Sequence, residues 1–157
     1  MPIYKAPVDD TLFLLEDVLN FQGISDLPGF ADITPDVIAP ILAEAGKLAE
    51  EVLAPLNQSG DAQGCKRAAD GGVATPTGFR AAFDAFAKGG WIGLPVPEDY
   101  GGQGLPFTLA TVVDEYASSA NMAFAMYPGL TQGALAALLR HGTEEQKRVY
   151  APNMASG

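Results

Sequence analysis

The chain has 157 residues, of which 48% are hydrophobic, and a formal net charge of -10. That length and apolar content suit one domain with a real core, and the acidic balance excludes a surface built for nucleic acid or anionic lipid, which needs a basic footprint. Cys65 and His141 are the single cysteine and the single histidine, which excludes a disulfide framework, a thiolate metal site and any His-based metal cluster.

The start, MPIYKAPVDD, carries acid before the apolar run LFLLEDVL and does not read as a signal peptide. No uninterrupted apolar run approaches the length needed to cross a bilayer. The expected compartment is the cytoplasm or an organelle matrix. Pro7 and Asp9-Asp10 form a helix entrance, after which Leu12, Leu15, Val18 and Leu19 share a face with Phe13 beside them. Gly23 and the Asp26-Leu27-Pro28-Gly29 turn end that helix.

Thr34 and Pro35 open a second helix by cap and first-turn proline. Val37, Ile41, Ala45, Leu48, Val52 and Leu56 form one stripe, and Ile38, Leu42, Ala49 and Leu53 an adjoining one. Pro40 and Pro55 are irregularities, and Asn57 to Gly64 reads as a polar exit. Gly60 to Gly72 reads as a surface excursion without periodicity. Thr75-Pro76 opens a third helix with Phe79, Phe83, Phe86 and Ala87 inward, stopped by Gly89-Gly90.

The stretch GGWIGLPVPEDYGGQG, Gly89 to Gly104, is the most sharply punctuated in the chain. Its glycines and prolines constrain the backbone, and Trp91 and Leu94 anchor it, so it is a shaped connection. A fourth helix runs from Phe107 or Thr108 to Ser119, with Leu109, Val112, Val113 and Tyr116 as contacts. Ala120 to Ala137 is ambiguous, after which helix continues to His141 with Leu130, Ala134, Leu138 and Leu139 inward and Gly142 just past its end. Thr143 and Gln146 make a capping box for a last helix, ended by Pro152. No segment alternates with period two, so the expected fold is all-α, a helical bundle with one apolar stripe per element.

Few residues offer chemistry. Glu98 and Asp99 are adjacent, but their side chains need not converge and no neighbour separates their pKa values; a solvated or capping role is preferred. Asp114 and Glu115 are adjacent on a helix, one facing solvent and one an amide in a loop. GGQG at Gly101 to Gly104 is neither a GxGxxG turn after a strand nor a Walker sequence. Asn121 is a polar residue in apolar company, either capping, bonding a loop carbonyl or lining a pocket. Met122, Met126 and Tyr127 read first as core and second as a ligand wall. Tyr4, Tyr100 and Tyr150 have no visible partner.

The order of motifs resembles the amino-terminal half of the acyl-CoA dehydrogenase family, within it the branch of longer enzymes that includes 3-methylmercaptopropionyl-CoA dehydrogenase. The likeness is carried by MPIYKAPVDDTLFLLEDVL, EEVLAPLNQSGDAQGC, GGWIGLPVPEDYGGQGLP and HGTEEQKRVYAPNMASG, the third being the most specific. The resemblance implies an amino-terminal extension over residues 1–33 and the family's amino-terminal helical domain, with orthogonal, bundle-like packing, over 34–157. It implies an enzyme that removes hydrogens across the α and β carbons of an acyl-CoA thioester, with FAD as hydride acceptor. An electron-acceptor flavoprotein as partner and a homo-oligomer are implied for the complete enzyme. The family's middle β domain and carboxy-terminal helical domain, with the flavin-contact motifs and the catalytic glutamate, are missing from this sequence. No catalytic, cofactor-binding or metal residue is therefore assigned, and the chain alone is expected to be inactive. Met122, Ala125, Met126 and Tyr127 are the residues that the resemblance places in one wall of the acyl pocket. The competing expectation is a stand-alone helical module that binds a protein partner.

Overall fold

The computed structural model describes residues 3–27, 30–31 and 33–157. α1 (Val8–Phe13) opens after Pro7 with Asp9 and Asp10 in its first turn, where their charge meets the positive end of the helix dipole. A π-helical turn, Leu14–Val18, and a 3-10 segment, Phe21–Asp26, follow. The expected inward face forms only in its first half: Leu15 is buried and Leu12 packs against the core, but Phe13, Val18 and Leu19 are exposed. A π turn closes i→i+5 bonds, so the 3.6-residue spacing that grouped those residues no longer holds. The turn expected at residues 26–29 lies partly outside the described residues.

α2 (Pro35–Leu48) starts with Pro35 at its first position, where a missing N–H costs nothing, although the Thr34 side chain makes no capping bond. A π turn, Ala49–Leu53, carries it into α3 (Ala54–Gln63). Of the paired stripes, the one with Ile38, Leu42, Ala49 and Leu53 is buried, joined by Ala45, while Val37 is exposed. The polar exit expected from Asn57 is helical as far as Gln63. Gly60 makes that extension possible, because a Cβ there would lie 2.6 Å from the ring of Phe79.

The excursion that follows contains a hairpin absent from the sequence reading. β1 (Lys66–Arg67) pairs antiparallel with β2 (Val73–Ala74), matching Lys66 to Ala74 and Arg67 to Val73. Strands of two residues are too short to show alternation. α4 (Phe79–Lys88) begins later than the Thr75-Pro76 signal, because Gly78 enters it at φ 89°, a left-handed conformation suited to glycine. Phe79, Ala82 and Phe86 are buried, and the helix stops at Gly89 as its glycine pair predicts.

The connection from Gly89 to Pro106 is anchored as expected, with Trp91, Ile92, Leu94 and Val96 buried. It delivers the chain to α5 (Phe107–His141), a 35-residue run that is two helical stretches joined across a kink at Asn121, which agrees with the two helices expected and places helix in most of the stretch left ambiguous. α5 is the spine of the molecule and packs against α2, the π turn, α3 and α6. By length and composition alone it matches a membrane-crossing helix, although the sequence reading found no uninterrupted apolar run of that length. Leu109, Val113, Tyr116 and Phe124 are buried in the all-α fold, but only 17% of the most apolar stretch of α5 is covered by the rest of the described residues. Leu130 and Ala134, expected inward, are exposed, and Leu135 is buried instead.

α6 (Glu144–Ser156) has the predicted capping box: Thr143 Oγ1 accepts from Gln146 N–H at 3.2 Å and Gln146 Oε1 accepts from Thr143 N–H at 2.9 Å. Pro152 does not end it, since the helix runs to Ser156. Buried Ala151 and Ala155 hold those last turns in place and offset the bond that proline cannot donate. The amino-terminal segment docks on this frame through Lys5 Nζ to Glu50 at 2.6 Å, Ala6 N–H to Glu50 at 3.0 Å and Tyr116 Oη to Thr11 Oγ1 at 2.8 Å.

Candidate functional site

The site begins with a break in α5. Asn121 has φ -158° and ψ 88°, outside the helical region, in the middle of an otherwise helical run. Its side chain is buried and spends both ends of its amide. Nδ2 donates to the Leu53 carbonyl at 3.1 Å, and Oδ1 accepts from Phe124 N–H at 3.0 Å. The second bond caps the helical run that resumes at Met122. Of the sequence-level alternatives, capping is correct, and the carbonyl it reaches lies in a helical turn rather than a loop.

Beyond the break, Met122, Ala123, Met126 and Tyr127 line a groove of about 700 Å3. Its other side is Asn57, Gln58, Gly60, Asp61, Cys65, Pro76 and Phe79, from α3 and the start of α4, so that a polar edge faces the methionines. Met122 and Met126 are 60% and 64% exposed, so they are not core residues. Ala125 is partly buried and packs against the core instead of lining the groove. Tyr127 Oη meets Cys65 Sγ at 3.5 Å, and that contact, followed by burial, raises the phenol above its ordinary range. Edge-to-face contacts tie the groove to the core, with ring centroids 6.1 Å apart for Phe79 and Tyr127, 6.2 Å for Phe79 and Phe124, and 5.8 Å for Phe86 and Phe124.

Sequence reasoning missed Ala123, Phe79 and Cys65 in this groove. Cys65 lies far from Tyr127 along the chain, and nothing in its spacing marks it. The thioether and aromatic surface offers flexible apolar contact, and no acid–base pair accompanies it among the described residues.

The other candidates fare differently. Glu98 and Asp99 sit exposed on a 3-10 turn, Glu98–Tyr100, and do not form a pair. Tyr100, read as partnerless, donates to Glu144 at 3.0 Å, which raises its phenol. Asp114 is half-buried and accepts from Gln132 Nε2 at 3.2 Å, while Glu115 is exposed. The expected division between solvent and amide holds, but the amide belongs to a helical glutamine. Burial pushes the Asp114 carboxyl up, and the Gln132 bond moderates the effect.

The glycine loop closes on its own backbone. Gly102 N–H donates to Pro97 O, Gln103 N–H to Gly93 O, Gly104 N–H to Val96 O and Leu105 N–H to Leu94 O, at 2.8–3.2 Å. A Cβ on Gly102 would fall 2.0 Å from Val96 O. These glycines serve backbone packing, and their N–H groups are not free to cradle a phosphate.

Residues 39–157 match the family described as "Acyl-CoA dehydrogenase, N-terminal domain". The chain is 35% identical to 3-methylmercaptopropionyl-CoA dehydrogenase of Ruegeria pomeroyi over 154 residues, which is 98% of this chain and 26% of that protein. It is 31% identical to the broad-specificity linear acyl-CoA dehydrogenase FadE5 of Mycobacterium tuberculosis over 150 residues, 94% of this chain and 24% of that protein. Among solved structures it aligns with a chain described as "Electron transferring flavoprotein of Acidaminococcus fermentans: Towards a mechanism of flavin-based electron bifurcation". That alignment has a TM-score of 0.59 and 26% identity, and covers 80% of this chain and 30% of the other. The protein belongs to the acyl-CoA dehydrogenase family. It corresponds to the family's helical amino-terminal domain, and spans about a quarter of the length of these curated relatives.

Proposed function

We propose that this chain is the amino-terminal part of an FAD-dependent acyl-CoA dehydrogenase, in which Met122, Met126 and Tyr127 form part of the acyl pocket and Ala125 supports them from behind. The observation that carries the reading is the exposed Met122–Met126–Tyr127 face beside that groove, in a domain of that family. Thioether and aromatic side chains suit an acyl chain, since they adapt their shape to it and keep water from the thioester end. The residues of this chain do not fit FAD as its holder, because the glycine loop has spent its N–H groups internally. Flavin contacts belong, in this reading, to other segments of such an enzyme. Acyl-CoA as substrate, a separate electron-accepting flavoprotein, a homo-oligomer and a cytoplasmic location complete the proposal. So does a boundary between residues 33 and 34, with residues 1–33 an extension docked on the helical domain.

The test is a chimera in which this chain replaces the matching segment of the Ruegeria pomeroyi relative. Acyl-CoA-dependent reduction of an electron acceptor is expected. Met126→Ala is expected to change the ratio of kcat/KM for octanoyl-CoA over butyryl-CoA by roughly tenfold, the scale of about one methylene in an apolar pocket. An active chimera whose chain-length preference ignores Met122, Met126 and Tyr127 would remove them from the acyl wall.

A further inference from the structure

Asn121 is the one fully buried polar side chain among the described residues of the core. The first part of α5 buries Leu109, Val113, Tyr116, Ala117 and Ala120, and the second buries Phe124, Pro128 and Leu135. Asn121 stands between these runs with non-helical backbone angles, and its Nδ2 is bonded across 68 residues of sequence to Leu53 O. Leu53 closes the π turn that joins α2 to α3, and α3 forms the opposite side of the groove. Neither Asn121 nor Leu53 lines the groove, but one amide thus ties together the chain segments that lead into its two sides. It fixes the direction of the helix that carries Met122, Met126 and Tyr127 relative to the helix that faces them.

We propose that Asn121 is the positioning residue of the Met122–Met126–Tyr127 wall: by capping Phe124 and tethering Leu53 it holds α5 bent, and so sets the width of the groove. The proposal rests on the acyl-wall reading only for the groove's purpose, not for the geometry. The physical alternative to the bend is a continuous helix. Without the Asn121 acceptor, Phe124 N–H returns to the Ala120 carbonyl in the ordinary i→i−4 pattern. α5 then straightens, and Tyr127 moves relative to Cys65 and Phe79. Asn121→Ala removes both bonds. Asn121→Ser keeps a hydroxyl able to cap Phe124 and loses the reach to Leu53.

Cys65 is an exposed thiol at the groove and serves as the attachment point for a nitroxide label. Relaxation enhancement of the Met122 and Met126 methyl groups, read in 13C-methyl-methionine protein, reports the distance of each from the groove's far side. In the otherwise native chain both methyls are expected to be strongly broadened. Asn121→Ala is expected to change the ratio of their two enhancement rates at least twofold, with Asn121→Ser between the two. If Asn121→Ala fails to fold, the serine variant alone still decides, by the same ratio. A fall in stability with an unchanged ratio means that Asn121 is merely structural, and it overturns the proposal. A separate titration of unlabelled protein with octanoyl-CoA addresses the acyl wall. Absence of any Met122 or Met126 methyl shift there counts against the acyl reading, while the nitroxide ratio still decides the role of Asn121.

Discussion

Asp114 shows how one side chain can be costly in this fold and still be useful to measure. Burial raises its carboxyl above the ordinary aspartate value, with the Gln132 bond opposing. Folding therefore favours the protonated form. That contribution is fully present below the unfolded pKa, and is lost as pH rises through the folded one. Asp114→Asn keeps an acceptor for Gln132 and removes the charge. It is expected to stabilise the protein at neutral pH by about 0.5 kcal/mol, a modest figure because the carboxyl keeps part of its solvent. The gain should vanish near about pH 3, where aspartate is protonated in both states. Thermal denaturation at the two pH values checks this, and an equal gain at both would assign the effect to packing. Tyr4 offers a simpler case, since its hydroxyl is buried with no partner in hydrogen-bond geometry among the described residues, Ser119 being the side chain that approaches it. Tyr4→Phe is expected to leave stability unchanged or raise it by up to about 1 kcal/mol in urea denaturation, because at most a poorly aligned approach to Ser119 is lost and a desolvated group is removed. A clear loss of stability would contradict that account.

The helices are held by local devices that can be removed singly. Thr143→Ala deletes the side-chain half of the capping box on α6 and is expected to cost about 1 kcal/mol in urea denaturation. If the box acts as a unit, the double change with Gln146→Ala costs less than the sum of its parts. The docking of the amino-terminal arm turns on Glu50, whose carboxyl is held below its usual range by the Lys5 bond and then by the Ala6 N–H. Its contribution is present above the unfolded glutamate value and lost as pH falls through the depressed folded value. The protection of the Lys5, Ala6 and Val8 amides against hydrogen exchange, taken relative to the unstructured rate at the same pH, is expected to fall several-fold in Glu50→Gln at neutral pH, and in the unaltered chain on acidification. Protection that ignores both changes would show that Thr11 and Tyr116 hold the arm alone.

Local devices were also what the sequence displayed best. The Thr143–Gln146 box, the Gly89 stop, the Pro35 start and the anchoring of Trp91 and Leu94 each depend on neighbours in the chain, and each appears where the spacing puts it. What escaped notice depends on distant partners. Asn121 is legible as a cap, but that its carbonyl partner is Leu53 on another helical turn is not, and Gly60 lets α3 continue because Phe79 packs over it. Pro152 stays inside α6 because Ala151 and Ala155 are buried around it. The methionines of the groove carry an apolar signal that reads equally as core or wall. Only the fold puts Met122 and Met126 on the outside.

At the scale of the molecule, exposed apolar side chains occur in more than one place: Met122, Met126 and Leu130 on α5, and Phe13, Val18, Leu19 and Phe107 near the arm. Surface of this kind marks places where something else packs. A domain that supplies one wall of a cofactor enzyme is expected to show such surface and yet to hold no flavin by itself. The glycine loop is the feature of this chain that most resembles a phosphate cradle, and its amides already bond Pro97, Gly93, Val96 and Leu94. The purified protein, mixed with FAD and desalted, is therefore expected to show no flavin absorbance band, while an apolar fluorescent dye binds it and is partly displaced in Met126→Lys. Retention of about one flavin per chain would require the Gly101–Gly104 backbone to open, at the expense of the bonds that fix the connection between α4 and α5. Such a result would move the cofactor site into this domain.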